Sequence, residues 1–312
     1  MTGDGSDGKG ARAVTRVPRL YPALVAGGLL LVASDLATIL AREWLGSAPG
    51  WLLPARTGIL ALACALLWRR MEMRRLSGLA GVLFVVVMAQ AAAGHPGLRS
   101  ALTNMITLDG GMLDIVARGV AQKGMIALPV LVVLLLVCRG PRRAFLFIGN
   151  PSAPVGRMAL LRLGGDGLRW SVLAPVSAML IAVGTFGGVL LTVFGGDTAP
   201  QMQRLAPLLP AILLLAALNA LLEGIIYRNA VCGPLRNVLG VGTLAFLAGA
   251  YFGIAHFYGA PSGLIGVVMA AFLGWFLCRA MIETRGFLLP WAIHFVQDVV
   301  IFSLAVVMVS PP

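Results

Sequence analysis

Charged residues are scarce in this sequence. Asp, Glu, Lys and Arg make up only 12% of its 312 residues, whereas hydrophobic residues make up 59%. A soluble domain of this length needs far more charge on its surface, so the scarcity excludes the soluble globular class. Long apolar runs separated by short polar loops instead predict an all-α, polytopic helical membrane protein.

Acidic residues are scarcer than basic ones, with 12 Asp and Glu against 24 Lys and Arg and a formal net charge of +12. Such an excess also occurs in nucleic-acid-binding proteins. Here, however, the arginines gather in short loops between apolar runs, a pattern that marks membrane topology and contact with anionic lipids. We therefore expect a lipid bilayer with anionic lipids as a partner, and no nucleic acid.

Cysteine is rare too, and the four cysteines stand singly in or beside apolar segments: Cys64, Cys138, Cys232 and Cys278. No two of them have the spacing of a metal site, and no disulfide framework of the secreted type is indicated. We interpret them as small apolar packing residues.

The apolar runs predict about eight or nine transmembrane helices, because a span needs about 20 apolar residues. The nine segments cover residues 21–40, 51–68, 79–93, 125–138, 172–194, 205–227, 241–257, 263–281 and 287–309. Arginines concentrate in the loops after the second, fourth, sixth and eighth segments. This predicts a multi-pass protein of the cell's inner (plasma) membrane, with its N-terminus in the cytoplasm and its C-terminus outside.

The same patterns divide the chain into four parts. Residues 1–20 are polar, glycine-rich and basic, which predicts a disordered cytoplasmic tail and not a signal peptide. Residues 21–138 form a four-helix membrane region, and residues 139–171, rich in Arg, Gly and Pro, form the longest cytoplasmic loop. Residues 172–312 form a second membrane region.

Two shorter patterns predict local structure. Residues 100–123 carry four charges among apolar residues (Asp109, Asp114, Arg118 and Lys123), which predicts an amphipathic helix on the outer membrane interface. In the second membrane region, small residues recur at every fourth position of two adjacent segments: Ala245, Gly249, Gly253 and Gly266, Ala270, Gly274. This spacing predicts two closely packed helices.

Four titratable side chains lie inside the apolar sequence of the second membrane region: Glu223, His256, His294 and Asp298. A charged side chain in the hydrocarbon costs at least ~2.5 kcal/mol, so four of them predict one shared polar site. His294 and Asp298 are four residues apart and share a helix face. Two carboxylates and two imidazoles are the groups of a water-activating site, with or without a metal.

These residues form three motifs in order: Glu223-Gly224-Ile-Ile-Tyr-Arg228, Phe252-x-x-x-His256 and His294-x-x-x-Asp298. Over roughly residues 205–302 the sequence resembles the CAAX-prenyl-protease and bacteriocin-processing (CPBP, Abi-type) intramembrane endopeptidases. The resemblance implies hydrolysis of a peptide bond in a membrane-associated peptide or protein. It implies that Glu223 and His256 activate a water, that His294 and Asp298 steady the oxyanion, and that Arg228 and Phe252 support the site.

One motif position departs from the family's pattern, and a second bears on the mechanism. Gly224 replaces a second glutamate, and without that acid we expect Arg228 to extend to the cytoplasmic interface. Asp298 stands where the family has Asn or Asp, and an ionised aspartate cannot donate a hydrogen bond to an oxyanion. Either burial keeps Asp298 protonated, or it joins His256 and His294 around one divalent metal such as zinc, as in a metalloprotease, with Glu223 as base.

The depths of the motif residues conflict with one another. At ~1.5 Å per residue, His256 lies near the outer end of its segment, whereas Glu223 and His294 lie in the cytoplasmic half. The site can form only if the helix before His256 is short, strongly tilted or re-entrant, and the Gly240-Val-Gly242 stretch offers such a break.

Two other function classes stay open at this stage. Gly224 and Asp298 suggest a catalytically silent relative that acts as a membrane scaffold or bacteriocin-immunity protein. The same acids and histidines would also serve a proton-coupled transporter, although no inverted repeat is evident in the segments.

Overall fold

The structure is a computed structural model that describes residues 20–108, 111–165, 167–189, 203, 205–259 and 261–309. In these ranges it is helical, and the only strand-like pairings are two isolated bridges, Pro154–Arg169 and Met158–Leu163. The predicted all-α class is confirmed. The predicted tail, apart from its last residue, and Asp109 lie outside the described residues.

Apolar runs form the main helices, and Gly, Pro or Arg residues interrupt them. The first half contains α1 (Leu20–Ala33), α2 (Leu36–Leu45), α3 (Leu52–Trp68), α4 (Arg74–Ala93), α5 (Pro96–Met105) and α6 (Met112–Cys138). The second half contains α7 (Trp170–Val189), α8 (Leu209–Glu223), a π-helix (Gly224–Asn229), α9 (Ala230–Leu235), α10 (Val241–Ile254), α11 (Gly263–Thr284) and α12 (Leu288–Val309).

By length and composition, the described part of the chain has six helices that can cross a membrane, or up to seven if the bent pair α1–α2 is one span. The predicted second and seventh spans correspond to α3 and α10, of 17 and 14 residues. At ~1.5 Å per residue these two helices are shorter than the ~30 Å hydrocarbon core, so they are not counted among the six or seven helices that can cross a membrane. The polytopic membrane class is unaffected.

The predicted interfacial helix over residues 100–123 is wrong. A short helix, α5, ends at Met105, and a separate helix, α6, runs without interruption from Met112 to Cys138. Lys123 therefore lies inside a 27-residue helix that meets the length and hydropathy of a span. The charges misled the prediction because Lys123 finds a partner within the protein, as described below.

The long loop after α6 is folded against α11 and the start of α12. The carboxylate of Glu283 accepts hydrogen bonds from the backbone N–H of Gly156 (2.8 Å) and from Trp170 Nε1 (2.9 Å). Phe287 N–H donates to the carbonyl of Phe147 at 2.6 Å. The loop thus fixes the beginning of α12, the helix that carries His294.

The small residues of α10 and α11 do pack closely. A Cβ atom added to Gly249 would lie 2.6 Å from the carbonyl oxygen of Ala271, and one added to Gly253 would lie 2.5 Å from that of Val267. On α11, a Cβ at Gly274 would lie 2.9 Å from the ring of Phe252. The absence of side chains at these positions lets the two backbones approach and places Phe252 in the core.

Two of the cysteines meet across this core. Cys232 on α9 and Cys278 on α11 are both fully buried, and their Sγ atoms lie 2.8 Å apart. Both are free cysteines. Their small size suits the tight contact, as expected from the sequence.

Candidate active site

Glu223 is the last residue of α8, and its side chain is only 6% exposed. One carboxylate oxygen, Oε1, accepts a hydrogen bond from Lys123 Nζ at 2.5 Å. The other, Oε2, has no hydrogen-bond partner among the described residues and lies 3.4 Å from His294 Nε2. One oxygen is therefore fixed, and the other is available to accept a proton.

Glu223 and four other side chains form a closed ring of contacts. Lys123 Nζ also donates to Asn219 Oδ1 (2.6 Å), and Asn219 Nδ2 donates to Asp298 Oδ2 (2.9 Å). Asp298 Oδ1 in turn lies 3.4 Å from His294 Nε2, which returns the ring to Glu223. The structure therefore brings three of the predicted site residues together with two residues that were not predicted as part of the site, Lys123 and Asn219.

Arg228 does not extend to the interface, so that prediction is wrong. The residue is fully buried, and its Nη1 lies 3.1 Å from His294 Nδ1, while its Nη2 donates to the carbonyl of Ala220 at 3.3 Å. The cause is the π-helix directly after Glu223. Its i→i+5 hydrogen bonds turn a residue five positions on towards the face of Glu223, whereas a regular α-helix would turn it away.

Gly224 is the reason that the guanidinium of Arg228 fits. A Cβ atom on residue 224 would lie 2.8 Å from Arg228 Nη2 and 2.7 Å from a ring carbon of Phe287. The space of the side chain that Gly224 lacks is thus filled by the arginine and a phenylalanine. Arg228 uses that space to reach His294 instead of pairing with a neighbouring acid.

Hydrogen bonding assigns different roles to the two histidines. Arginine only donates, so His294 Nδ1 accepts from Arg228, and the neutral imidazole carries its proton on Nε2, between Glu223 and Asp298. His256 Nδ1 lies 2.8 Å from the carbonyl oxygen of Phe252, which only accepts, so His256 is protonated on Nδ1. In the neutral state His294 therefore presents an N–H, and His256 presents an Nε2 lone pair.

His256 reaches the depth of His294 because α10 is short. The ring of Phe252 contacts both imidazoles, with centroid distances of 4.3 Å to His256 and 5.7 Å to His294. Both histidines and Asp298 line one cavity of about 390 Å³ between α7, α10, α11 and α12. The sequence required a short, strongly tilted or re-entrant helix before His256, and α10 is short: it begins at Val241, after Gly240, and has 14 residues.

The structure does not group the three predicted metal ligands, His256, His294 and Asp298, around one point. Within the described ranges, no three His, Cys, Asp or Glu side chains are grouped so that they could hold one. Two cations also contact these side chains: Lys123 contacts Glu223, and Arg228 contacts His294. Positive neighbours repel a divalent cation. A site formed by His256, His294 and Asp298 stays a prediction.

Residues 205–300 match the model of a family described as type II CAAX prenyl endopeptidase Rce1-like. We call this matching stretch, residues 205–300, the Rce1-like segment. The match confirms the resemblance predicted from the three motifs and supports, at the level of the family, a CAAX-type intramembrane protease. Comparison of the chain with curated proteins and with solved structures found no match.

The Rce1-like segment contains every predicted site residue and Asn219, but not Lys123. Asn219 could have been found from its position, because it lies one helical turn before Glu223. Lys123 also had a signal, since it is one of only two lysines in a chain that otherwise uses arginine, and it stands in apolar sequence.

Proposed function

We propose that the protein is an intramembrane endopeptidase that hydrolyses a peptide bond of a membrane-associated peptide or protein. The observation that carries this proposal is the state of Glu223. Its carboxylate is buried, held at Oε1 by Lys123, and left at Oε2 within 3.4 Å of an imidazole N–H. The Rce1-like match of residues 205–300 supports the same reaction class.

In the proposed reaction, Glu223 Oε2 takes a proton from a water, and the water oxygen bonds to the carbonyl carbon of the substrate. His294 Nε2–H donates to the oxygen that becomes negative. The proton then passes from Glu223 to the amide nitrogen as the C–N bond breaks, which leaves a carboxyl and an amine product. Asp298 acts as an acceptor that orients Asn219 and His294, so it need not be protonated.

The cavity beside the histidines suits an apolar, membrane-embedded substrate. Most of its lining is apolar. It includes two exposed side chains, Leu180 on α7 (68% exposed) and Met269 on α11 (55% exposed). Thr185 and Gln297, whose side chains lie 3.4 Å apart, add polar groups to the lining. A substrate segment in the bilayer would thus enter sideways between α7 and α11 and present its peptide bond to His256 and His294.

The test is cleavage by purified, full-length protein in proteoliposomes. A panel of synthetic membrane-anchored peptides, with and without a C-terminal CAAX sequence bearing a prenyl group, serves as the probe, and products are identified by mass spectrometry. Glu223→Gln keeps the size and the Lys123 contact but removes the base, so we expect a loss of at least about 10²-fold. Glu72→Gln, at an exposed position, is the matched control. Unchanged cleavage by Glu223→Gln would refute the proposed base.

Gly224, which replaces the family's second glutamate, and Asp298 suggest a second candidate, a catalytically silent relative that acts as a membrane scaffold or bacteriocin-immunity protein. For that function, Glu223→Gln would leave the cellular phenotype of the protein unchanged.

The divalent metal, the anionic-lipid contact and the cytoplasmic position of the N-terminus stay predictions. Metal analysis of the purified protein tests the metal prediction. A bound divalent ion should be present in the wild-type protein and reduced in Asp298→Asn.

A further inference from the structure

Lys123 occupies an unusual place for a lysine. It lies in the middle of α6, in a helix with the length and hydropathy of a membrane span, and its side chain is 34% exposed. An ammonium in such a helix is unfavourable unless it is paired. The pairing is with Glu223, one hundred residues further along the chain.

The geometry of the pair restricts Glu223 in a specific way. Lys123 Nζ contacts Oε1 and not Oε2, so the oxygen that faces His294 stays without a hydrogen bond from the described residues. A carboxylate at the end of a flexible side chain has several rotamers, and a charge-assisted contact to one oxygen selects among them. The contact therefore aims Oε2 at the reacting groups.

Asn219 extends this arrangement to Asp298. Its Oδ1 accepts from the ammonium of Lys123, and its Nδ2 donates to Asp298 Oδ2. Because an ammonium only donates and an ionised carboxylate only accepts, these two neighbours fix the orientation of the amide. Lys123 thus reaches Glu223 directly and Asp298 through one bridging side chain.

From these contacts we infer that Lys123 is a positioning residue of the active site, which clamps Oε1 of Glu223 so that Oε2 addresses the water, with Asn219 carrying the same constraint to Asp298. The inference rests on the proposed function. It adds to the site a residue of the first membrane region, outside the Rce1-like segment. A lysine with a merely structural role would neutralise Glu223 without affecting the rate of the chemical step.

The experiment measures kcat and KM separately on the most rapidly cleaved peptide of the panel above. We expect Lys123→Met to lower kcat on the order of 10²-fold, the effect of displacing a reacting group by about 1 Å, with little change in KM. Gln122→Met, at the neighbouring position of α6, is the matched control and should leave both unchanged. An unchanged kcat in Lys123→Met would overturn the inference.

A rescue experiment separates positioning from folding. In Lys123→Ala, added propylammonium should raise kcat about tenfold, because a free alkylammonium can occupy the place of the missing side chain. Propylammonium should not raise the kcat of Glu223→Gln. A loss of kcat that propylammonium does not restore points to a structural role and overturns the inference. If neither lysine variant folds, Asn219→Ala replaces them, since it leaves the Lys123–Glu223 pair intact; kcat should then fall about tenfold with KM unchanged.

The two proposals fail in different ways. If Glu223→Gln still cleaves the peptide, the proposed function is wrong. If Glu223→Gln abolishes cleavage but Lys123→Met retains the wild-type kcat, only the inference about Lys123 is wrong.

Discussion

The substitution Gly224→Ala tests whether Arg228 owes its place to the missing side chain. The new Cβ would lie 2.8 Å from Arg228 Nη2 and 2.7 Å from the ring of Phe287, whereas ordinary contact begins at 3.4 Å. Relief by the arginine requires a shift of about 0.6 Å, which is enough to lengthen the 3.1 Å contact with His294 beyond hydrogen-bonding distance. Phe287 has little freedom to yield, because its backbone N–H is bound to the loop.

The expected size of the effect follows from two opposing contributions. Overpacking a core position typically costs ~1–3 kcal/mol, while replacing glycine by alanine in a helix contributes about 1 kcal/mol of stability. The free energy of unfolding should therefore fall by about 0–2 kcal/mol, but kcat should fall about tenfold or more because His294 loses its partner. Activity is thus the more sensitive measurement, and stability is the check on folding.

Gly58→Ala is the matched control for this variant. Gly58 lies in α3, is exposed, and has no atom within 4 Å of an added Cβ. It should keep wild-type cleavage and show an equal or higher unfolding midpoint in detergent. If Gly224→Ala behaves like Gly58→Ala in both measurements, the close packing of Arg228 at residue 224 is wrong.

Two further substitutions test the surroundings of the site. Arg228→Lys should lower both cleavage and the unfolding midpoint, because a single ammonium cannot reproduce the fork of a guanidinium that reaches His294 and a backbone carbonyl; wild-type activity would contradict that requirement. Gly249→Leu should separate α10 from α11, since its Cβ would lie 2.6 Å from the Ala271 carbonyl, and should abolish cleavage, whereas Gly242→Leu, with open space around it, should not. Equal behaviour of the two leucine variants would argue against the close contact.

Much of the fold could be predicted because membrane spans have a simple physical requirement. About 20 apolar residues between polar loops are visible in any sequence, and the predicted segments over residues 51–68, 263–281 and 287–309 agree closely with α3, α11 and α12. The short α10 was also foreseeable, since Gly240 and Gly242 mark its start. Local composition was sufficient for these features.

The site was harder to predict, because two of its features depend on contacts between distant segments or on an irregular helix. Lys123 was assigned to an interface by its local pattern, and only the partner one hundred residues away explains its place in a membrane helix. Arg228 was expected to extend to the cytoplasmic interface, because in a regular α-helix it would be turned away from the face of Glu223. The π-helix at Gly224–Asn229 has a wider turn than an α-helix, and it directs Arg228 towards the face of Glu223 instead.

The charges of the ring explain why its parts come from both halves of the chain. Glu223 and Asp298 are two buried acids, and each would be strongly unfavourable in the membrane without compensation. Lys123 and Arg228 supply two positive charges, one against Glu223 and the other against His294, so the cluster as a whole is close to neutral when the histidines are neutral. Removing one partner of such a buried set leaves the other unpaired, and this typically costs ~3–5 kcal/mol. Because Lys123 lies on α6, residues 205–300 alone would leave Glu223 in that unpaired state, so we expect the Rce1-like segment to require the first membrane region for a stable active site.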